Sequence, residues 1–206
     1  MALFVKIHPE NPQEANVKKV VEIIQNGGIA IYPTDSVYGL GTALSNKKGM
    51  EKIAQIKGVK LKNAEFSFIF SRLEQLVEYT LPISKTNFRI LKKNLPGPFT
   101  FILKANHRLP KIVENSRKTI GIRIPDNNII RQIIDQLGEP IVNTSVKVFE
   151  DIEQYTTDPE LIYEKYKDLV DVIINGGYGN LDPSTVVDLT SDEPEIIRQG
   201  KGELLY

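Results

Sequence analysis

Short runs of β-branched and aromatic residues, each closed by glycine, proline or small polar residues, alternate along this chain with segments whose apolar residues fall at helical spacing. LFVKI (3–7), IAIY (29–32), EFSFIF (65–70), FTFILK (99–104), TIGIRIP (119–125) and PIVNTS (140–145) are expected strands. VDVIINGG, STVVDLT and EIIRQG follow as late strands with polar or glycine-rich exits. Between them, NPQEANVKKVVEIIQNGG, NKKGMEKIAQIKG, 72–79, 84–94, NNIIRQIIDQLG and DPELIYEKYKDL read as helices. Glycine after the last apolar turn is the stop signal, and Asp158-Pro159 is the start signal of the last helix. Such a chain must build an α/β or α+β fold around one mostly buried sheet. Several connections are too short for helical crossovers, so antiparallel pairs must mix with parallel ones. A single domain spanning 1–206 is expected.

The chemistry available is narrow. There is no cysteine, so disulfides, zinc-thiolate sites and cysteine nucleophiles are excluded. The only histidines are His8 and His107, too few for a multi-histidine metal site, and no tightly bound metal is expected. No apolar run approaches the roughly 20 residues that span a bilayer, and the apolar start of MALFVKIHPE is short for a signal peptide. The expectation is a cytoplasmic protein without a membrane partner, a monomer or weak dimer. Net charge is zero, but residues 47–123 hold 17 basic and 5 acidic side chains, and 124–206 hold 6 and 17. Such a split suits either a phosphate-binding surface or two segments that neutralise each other within one fold.

The stretch IYPTDSVYGLG (31–41) reads as a buried strand that ends in Thr34-Asp35-Ser36 and then requires Gly39 and Gly41. Other strand ends share this small polar character: Thr144-Ser145, Pro183-Ser184-Thr185, and Arg198-Gln199-Gly200. TIGIRIP adds Thr119 and Arg123. Hydroxyls both donate and accept, glycine admits close approach, and arginine grips phosphate or carboxylate through paired hydrogen bonds. In open α/β sheets ligands sit beyond strand ends, so these residues together suggest a cleft for an anionic small molecule. Individually each has a plain structural reading: turn capping for Thr34, Asp35, Ser36, Thr144 and Ser145, packing for Tyr38, and a solvated charge for Lys57 or Arg123.

Six segments in order, GGIAIYPTDSVYGLG, PGPFTFIL, TIGIRIP, PIVNTS, STVVDLT and IIRQG, resemble the YrdC/Sua5 family, and within it the YciO-like branch. The resemblance implies a single YrdC-like domain, a twisted mixed β-sheet with flanking helices and a concave basic cleft. It implies a threonylcarbamoyl-AMP synthase-like enzyme, a nucleotidyltransferase that joins L-threonine, bicarbonate and ATP, with Mg2+, and releases pyrophosphate for the t6A modification of tRNA. By position, Lys57 would face the triphosphate as the catalytic cation. Thr119, Ser145 and Arg198 would contact the nucleotide (ATP or AMP). Thr34, Arg123, Thr144, Ser184 and Thr185 would hold the amino acid. Family members are also described as binding double-stranded RNA, for which Lys47, Lys48, Lys52, Lys57, Lys60, Lys62, Lys92, Lys93, Arg117 and Lys118 are the candidates here.

The sequence departs from the synthase-like pattern at the chemistry. Val59 stands where that pattern has an arginine two residues after the lysine, and Lys147 stands where it has an asparagine. Lys60 or Lys62 could supply the missing charge, although lysine lacks the planar fork of arginine. Two classes of function follow: an enzyme of the synthase type, or one hydrolysing a related acyl adenylate, and a double-stranded RNA or tRNA-binding module with little catalysis.

Overall fold

The computed structural model describes residues 1–111, 118–146 and 156–206. The described strands are β1 (Leu3–Lys6), β2 (Ala30–Tyr32), β3 (Gly39–Ala43), β4 (Ser67–Ile69), β5 (Phe99–Lys104), β6 (Thr119–Arg123), β7 (Ile141–Ser145), β8 (Val172–Asn175), β9 (Thr185–Asp188) and β10 (Glu195–Arg198). They form one mixed sheet in the order β1-β8-β2-β3-β7-β4-β6-β5-β9-β10. β1, β8 and β2 run parallel, as do β4 with β6 and β5 with β9, while the remaining neighbours are antiparallel. The helices are α1 (Glu14–Gln25), α2 (Lys47–Ile56), α3 (Leu73–Leu76), α4 (Lys85–Asn94), α5 (Asn128–Leu137) and α6 (Pro159–Tyr166).

Each end signal acts as its chemistry requires. Asp158 accepts from the Glu160 amide with Pro159 in the first helical turn, and Gly138 closes α5 in the left-handed conformation. The sequence reading missed β3, because two glycines in five residues look like a turn. They are strand glycines. Tyr32 lies opposite Gly39 across the β2–β3 pair, and its ring passes over both glycines to reach Asn143 on β7. A Cβ at Gly39 would fall 2.5 Å from the Tyr32 ring, and one at Gly41 2.5 Å from its hydroxyl. The glycines admit a tyrosine, where the sequence had suggested that they admit a ligand.

The two faces of the sheet are covered unequally. On one, α1 and α5 bury Val17, Val20, Ile24, Ile129, Ile133 and Leu137 against Tyr32, Ile69, Ile141, Val172 and Ile174. The opposite face is covered along its length, by α2 and α6 under β2, β3 and β8, and by α3 and α4 under β4 to β9. No described helix packs on the first face beyond β4. There Thr119 and Gly121 of β6, Thr100 and Ile102 of β5, and Val186 and Asp188 of β9 stay half-buried. This half-covered face carries the candidate site.

Candidate functional site

Arg123 ends β6 with its side chain on that open face, and it is buried. Its guanidinium donates to Ser36 Oγ at 2.7 Å and to Asp35 Oδ1 at 3.2 Å, while its Nε is buried without a partner. Asp35 and Ser36 follow β2, and three strands separate β2 from β6 in the sheet. At about 4.8 Å per strand, four steps span roughly 19 Å. The connection 33–38 between β2 and β3 and the arginine side chain cover that span together, so their contact closes one end of the open face.

The Thr34-Asp35-Ser36 turn is tied on every side. Thr34 Oγ1 donates to the Val37 carbonyl at 2.7 Å and accepts from the Ser36 amide at 3.1 Å. Asp35 Oδ2 accepts from the Asp126 amide at 2.8 Å, and its carbonyl accepts from Lys201 Nζ at 2.8 Å. Burial pushes the Asp35 carboxyl above its ordinary range, and the Arg123 guanidinium pulls it back only in part. The same burial pushes the guanidinium down against the attraction of Asp35. Both shifts have one cause: the pair is dry.

The far wall comes from β5, β9 and β10. Ser184 Oγ shares a hydrogen bond with Thr100 Oγ1 at 2.8 Å, and the Ser184 carbonyl accepts from Arg198 at 2.8 Å. At the opposite end Lys57, the residue capping α2, donates from Nζ to the Ser145 carbonyl at 2.8 Å, joining the end of α2 to the end of β7. Among the described residues no three histidine, aspartate or glutamate side chains gather to hold a metal ion. Cavities of about 540 Å³ beside Lys6, His8, Asn16 and Gly176 and about 210 Å³ beside Ser84, Asn87 and Asp192 lie outside this cleft.

The chain thus combines a ten-stranded mixed sheet, helices on both faces and a buried arginine bonded to a Thr-Asp-Ser turn. A model of the Sua5/YciO/YrdC proteins, described as "Telomere recombination", matches residues 22–200. The chain belongs to the Sua5/YciO/YrdC family. An uncharacterized protein of Haemophilus influenzae is 41% identical over 203 residues, 98% of this chain and 97% of that one. The crystal structure of E. coli YciO, 39% identical, matches with a TM-score of 0.90 over 98% of each chain. The fold is also that of P. abyssi Sua5 complexed with L-threonine, at 24% identity and a TM-score of 0.86 over 97% of this chain and 58% of that one.

Within the family fold, the residues expected at the site divide. Arg123, Ser184, Arg198 and Thr119 start from the open face, and Lys57 reaches the end of β7. Thr34 sits in the wall, its hydroxyl engaged within its own turn. Ser145 ends β7 on the Asn143 side, whereas Thr144, opposite Leu40, starts from the other face. Thr185 is fully buried on that other face, bonding Gly202 O at 2.6 Å and the Gly200 amide at 3.0 Å; it anchors the C-terminal segment.

The RNA candidates fall into groups: Lys48 and Lys52 are exposed on α2, with Lys60 and Lys62 at the adjoining 3₁₀ turn, Lys92 and Lys93 end α4, and Lys118 precedes β6. Lys93 donates to the Tyr206 carbonyl. Arg117 and Lys147 lie outside the described residues. Sequence reasoning missed Asn143, Ser67, Thr100 and Lys201. The two hydroxyls and the amide among them carry no pattern until strand register places them side by side.

Proposed function

We propose that the cleft binds a nucleotide beside a small amino acid and that the protein is a threonylcarbamoyl-AMP synthase-like nucleotidyltransferase. The observation that carries this reading is Arg123: a dry cation with an unpartnered Nε, set among hydroxyls at the closed end of an open sheet face. A buried guanidinium is suited to a carboxylate, which it can grip through two parallel hydrogen bonds. A protein of the same fold, P. abyssi Sua5, is complexed with L-threonine.

In this reading the amino group of L-threonine and bicarbonate give a carbamate with loss of water. A carbamate oxygen attacks the α-phosphorus of ATP, and pyrophosphate leaves. Arg123 holds the carboxylate, Lys57 neutralises charge on the triphosphate, and Arg198 and Ser184 line the side toward β10. Positioning and charge stabilisation carry such a reaction, and no covalent nucleophile is required. Magnesium would arrive with the phosphates, and the product would serve tRNA modification.

Val59, exposed where the synthase-like pattern has arginine, supports slow turnover, or hydrolysis of a related acyl adenylate by the same cleft. A second reading, double-stranded RNA or tRNA binding, is favoured by the lysines along α2 and its adjoining turn. The test is pyrophosphate release from ATP with L-threonine, bicarbonate and Mg2+, nucleotide products resolved. Threonine-dependent pyrophosphate that disappears in Lys57→Ala, with the melting temperature retained, is the expected result. Tight AMP binding without any turnover would overturn the synthase reading.

A further inference from the structure

Tyr32, Asn143 and Ser67 form a polar chain across three strands on the face that carries Arg123. The Tyr32 hydroxyl donates to Asn143 Oδ1 at 2.7 Å. Burial pushes that phenol far up, so it stays protonated and donates at every ordinary pH. The donation fixes which way the Asn143 amide points, since an amide presents oxygen on one side and NH2 on the other. Asn143 Nδ2 then donates to Ser67 Oγ at 3.0 Å. Tyr32 and Asn143 are buried, whereas Ser67 is half-buried and opens onto the cleft.

The proton of Ser67 decides what the chain is for. The network closes on itself only weakly. Here Ser67 Oγ has the Asn143 carbonyl at 3.4 Å, a long contact that a 2.8 Å bond to a ligand would outcompete. Its surroundings leave space for that ligand. Ser67 is opposite Gly121 on β6, and a Cβ there would have only ordinary contacts, 3.4 Å from Thr100 and 3.9 Å from Ser67. The cleft floor is thus low between the Ser67 and Thr100 side chains. Arg123 is opposite Ile69, two residues further along β4, or about 7 Å.

We propose that Ser67, oriented by the buried Tyr32–Asn143 pair, donates its hydrogen bond to an acceptor on the side chain of the amino acid held at Arg123, and so selects a hydroxylated amino acid over an apolar one of equal size. The inference rests on the reading of the cleft given above and adds to it the residue that sets substrate class. Ser67 contacts substrate; Tyr32 and Asn143 act through it as positioning residues. An oriented neutral hydrogen bond of this kind discriminates by roughly tenfold.

The experiment is calorimetry with L-threonine and L-valine, in the presence of a non-hydrolysable ATP analogue. The variants are Ser67→Ala, Ser67→Thr and Tyr32→Phe, each checked by thermal melting. Wild type should favour threonine about tenfold, Ser67→Ala should bring the two amino acids near parity, and Ser67→Thr should restore the preference. Tyr32→Phe should lower the preference part-way, which a merely structural tyrosine would not do. A preference unchanged in Ser67→Ala, or absent in wild type while both amino acids bind, overturns the role of Ser67 and leaves the cleft reading standing. Nucleotide binding without any amino-acid binding overturns both.

Discussion

Asp35 shows how a site residue can cost the fold that holds it. Its carboxyl and the Arg123 guanidinium are almost wholly buried, with side chains 9% and 5% exposed. Removing the Asp35 side chain strands both the Arg123 guanidinium and the Asp126 amide, so Asp35→Ala should destabilise by about 3 kcal/mol in urea unfolding. The pH dependence has a definite sign. The folded protein binds the Asp35 proton more tightly than the unfolded chain, whose carboxyl titrates near about 3.9. This group therefore lowers stability above its folded pKa, and the cost is relieved as pH falls through that value toward the unfolded one. Asp35→Ala lacks this component, so the stability of wild type relative to the variant should grow between pH 7 and pH 4. A gap that narrows on acidification would mean that attraction to Arg123, and not burial, sets the carboxyl. The two strand glycines make a simpler case. A Cβ at Gly41 would lie 2.6 Å from the Val142 carbonyl and 2.5 Å from the Tyr32 hydroxyl. Neither is a flexible chain end, so Gly41→Ala should lose about 2 kcal/mol in the same measurement.

Elements translate these residues into a cleft. α5 begins directly after Asp126, whose amide holds Asp35, and Asn127 caps it by accepting from the Ile129 and Ile130 amides at 3.1 and 3.2 Å. Asn127→Ala should cost about 1 kcal/mol by urea unfolding while nucleotide affinity stays within a few-fold. A large loss of affinity would show that the cap, and not the packing of Ile129, Ile130, Ile133 and Ile134, sets the position of Asp126. The elements that could be read from sequence are those whose signals are local. α1, α2, α4, α5 and α6 declared themselves by apolar spacing and end chemistry, and β5, β6, β7 and β8 by β-branched runs. β3 could not be read, because GLGTA owes its strand to a tyrosine on the neighbouring strand, an interaction that no local pattern encodes. The site divided in the same way. Arg123 stood out as a charge between isoleucines in a strand, whereas Ser67 and Asn143 gained meaning only from the register of β4 with β6 and β7. Thr144 and Thr185 were expected at the cleft as neighbours in sequence, but alternation along a strand sends adjacent side chains to opposite faces.

At the scale of the whole molecule, the basic and acidic segments are interleaved and do not form separate bodies. β4, β6 and β5 of the first lie together between β7 and β9 of the second, and Arg72 reaches Asp135 at 3.8 Å. The cations that the two readings call on are of two kinds. Arg123 is dry and at the closed end of the cleft; the lysines of α2 and its adjoining turn are exposed. Salt separates them, because exposed charges are screened over roughly 8 Å at physiological ionic strength while buried ones are screened much less. A nucleotide bound in the cleft at a hundred times its dissociation constant should stabilise the fold by about 2.7 kcal/mol. For a chain of this size that raises the melting temperature by roughly 5–10 °C. The shift from AMP or ATP should keep most of its size as salt is raised several-fold. Any shift from double-stranded RNA should collapse over the same range, since releasing a phosphate counterion for each lysine engaged makes affinity fall steeply with salt. Thermal melts with each ligand across a salt series read both directly. A nucleotide shift that collapses as steeply as the RNA one would place the nucleotide on the lysine surface and leave the Arg123 cleft without its ligand.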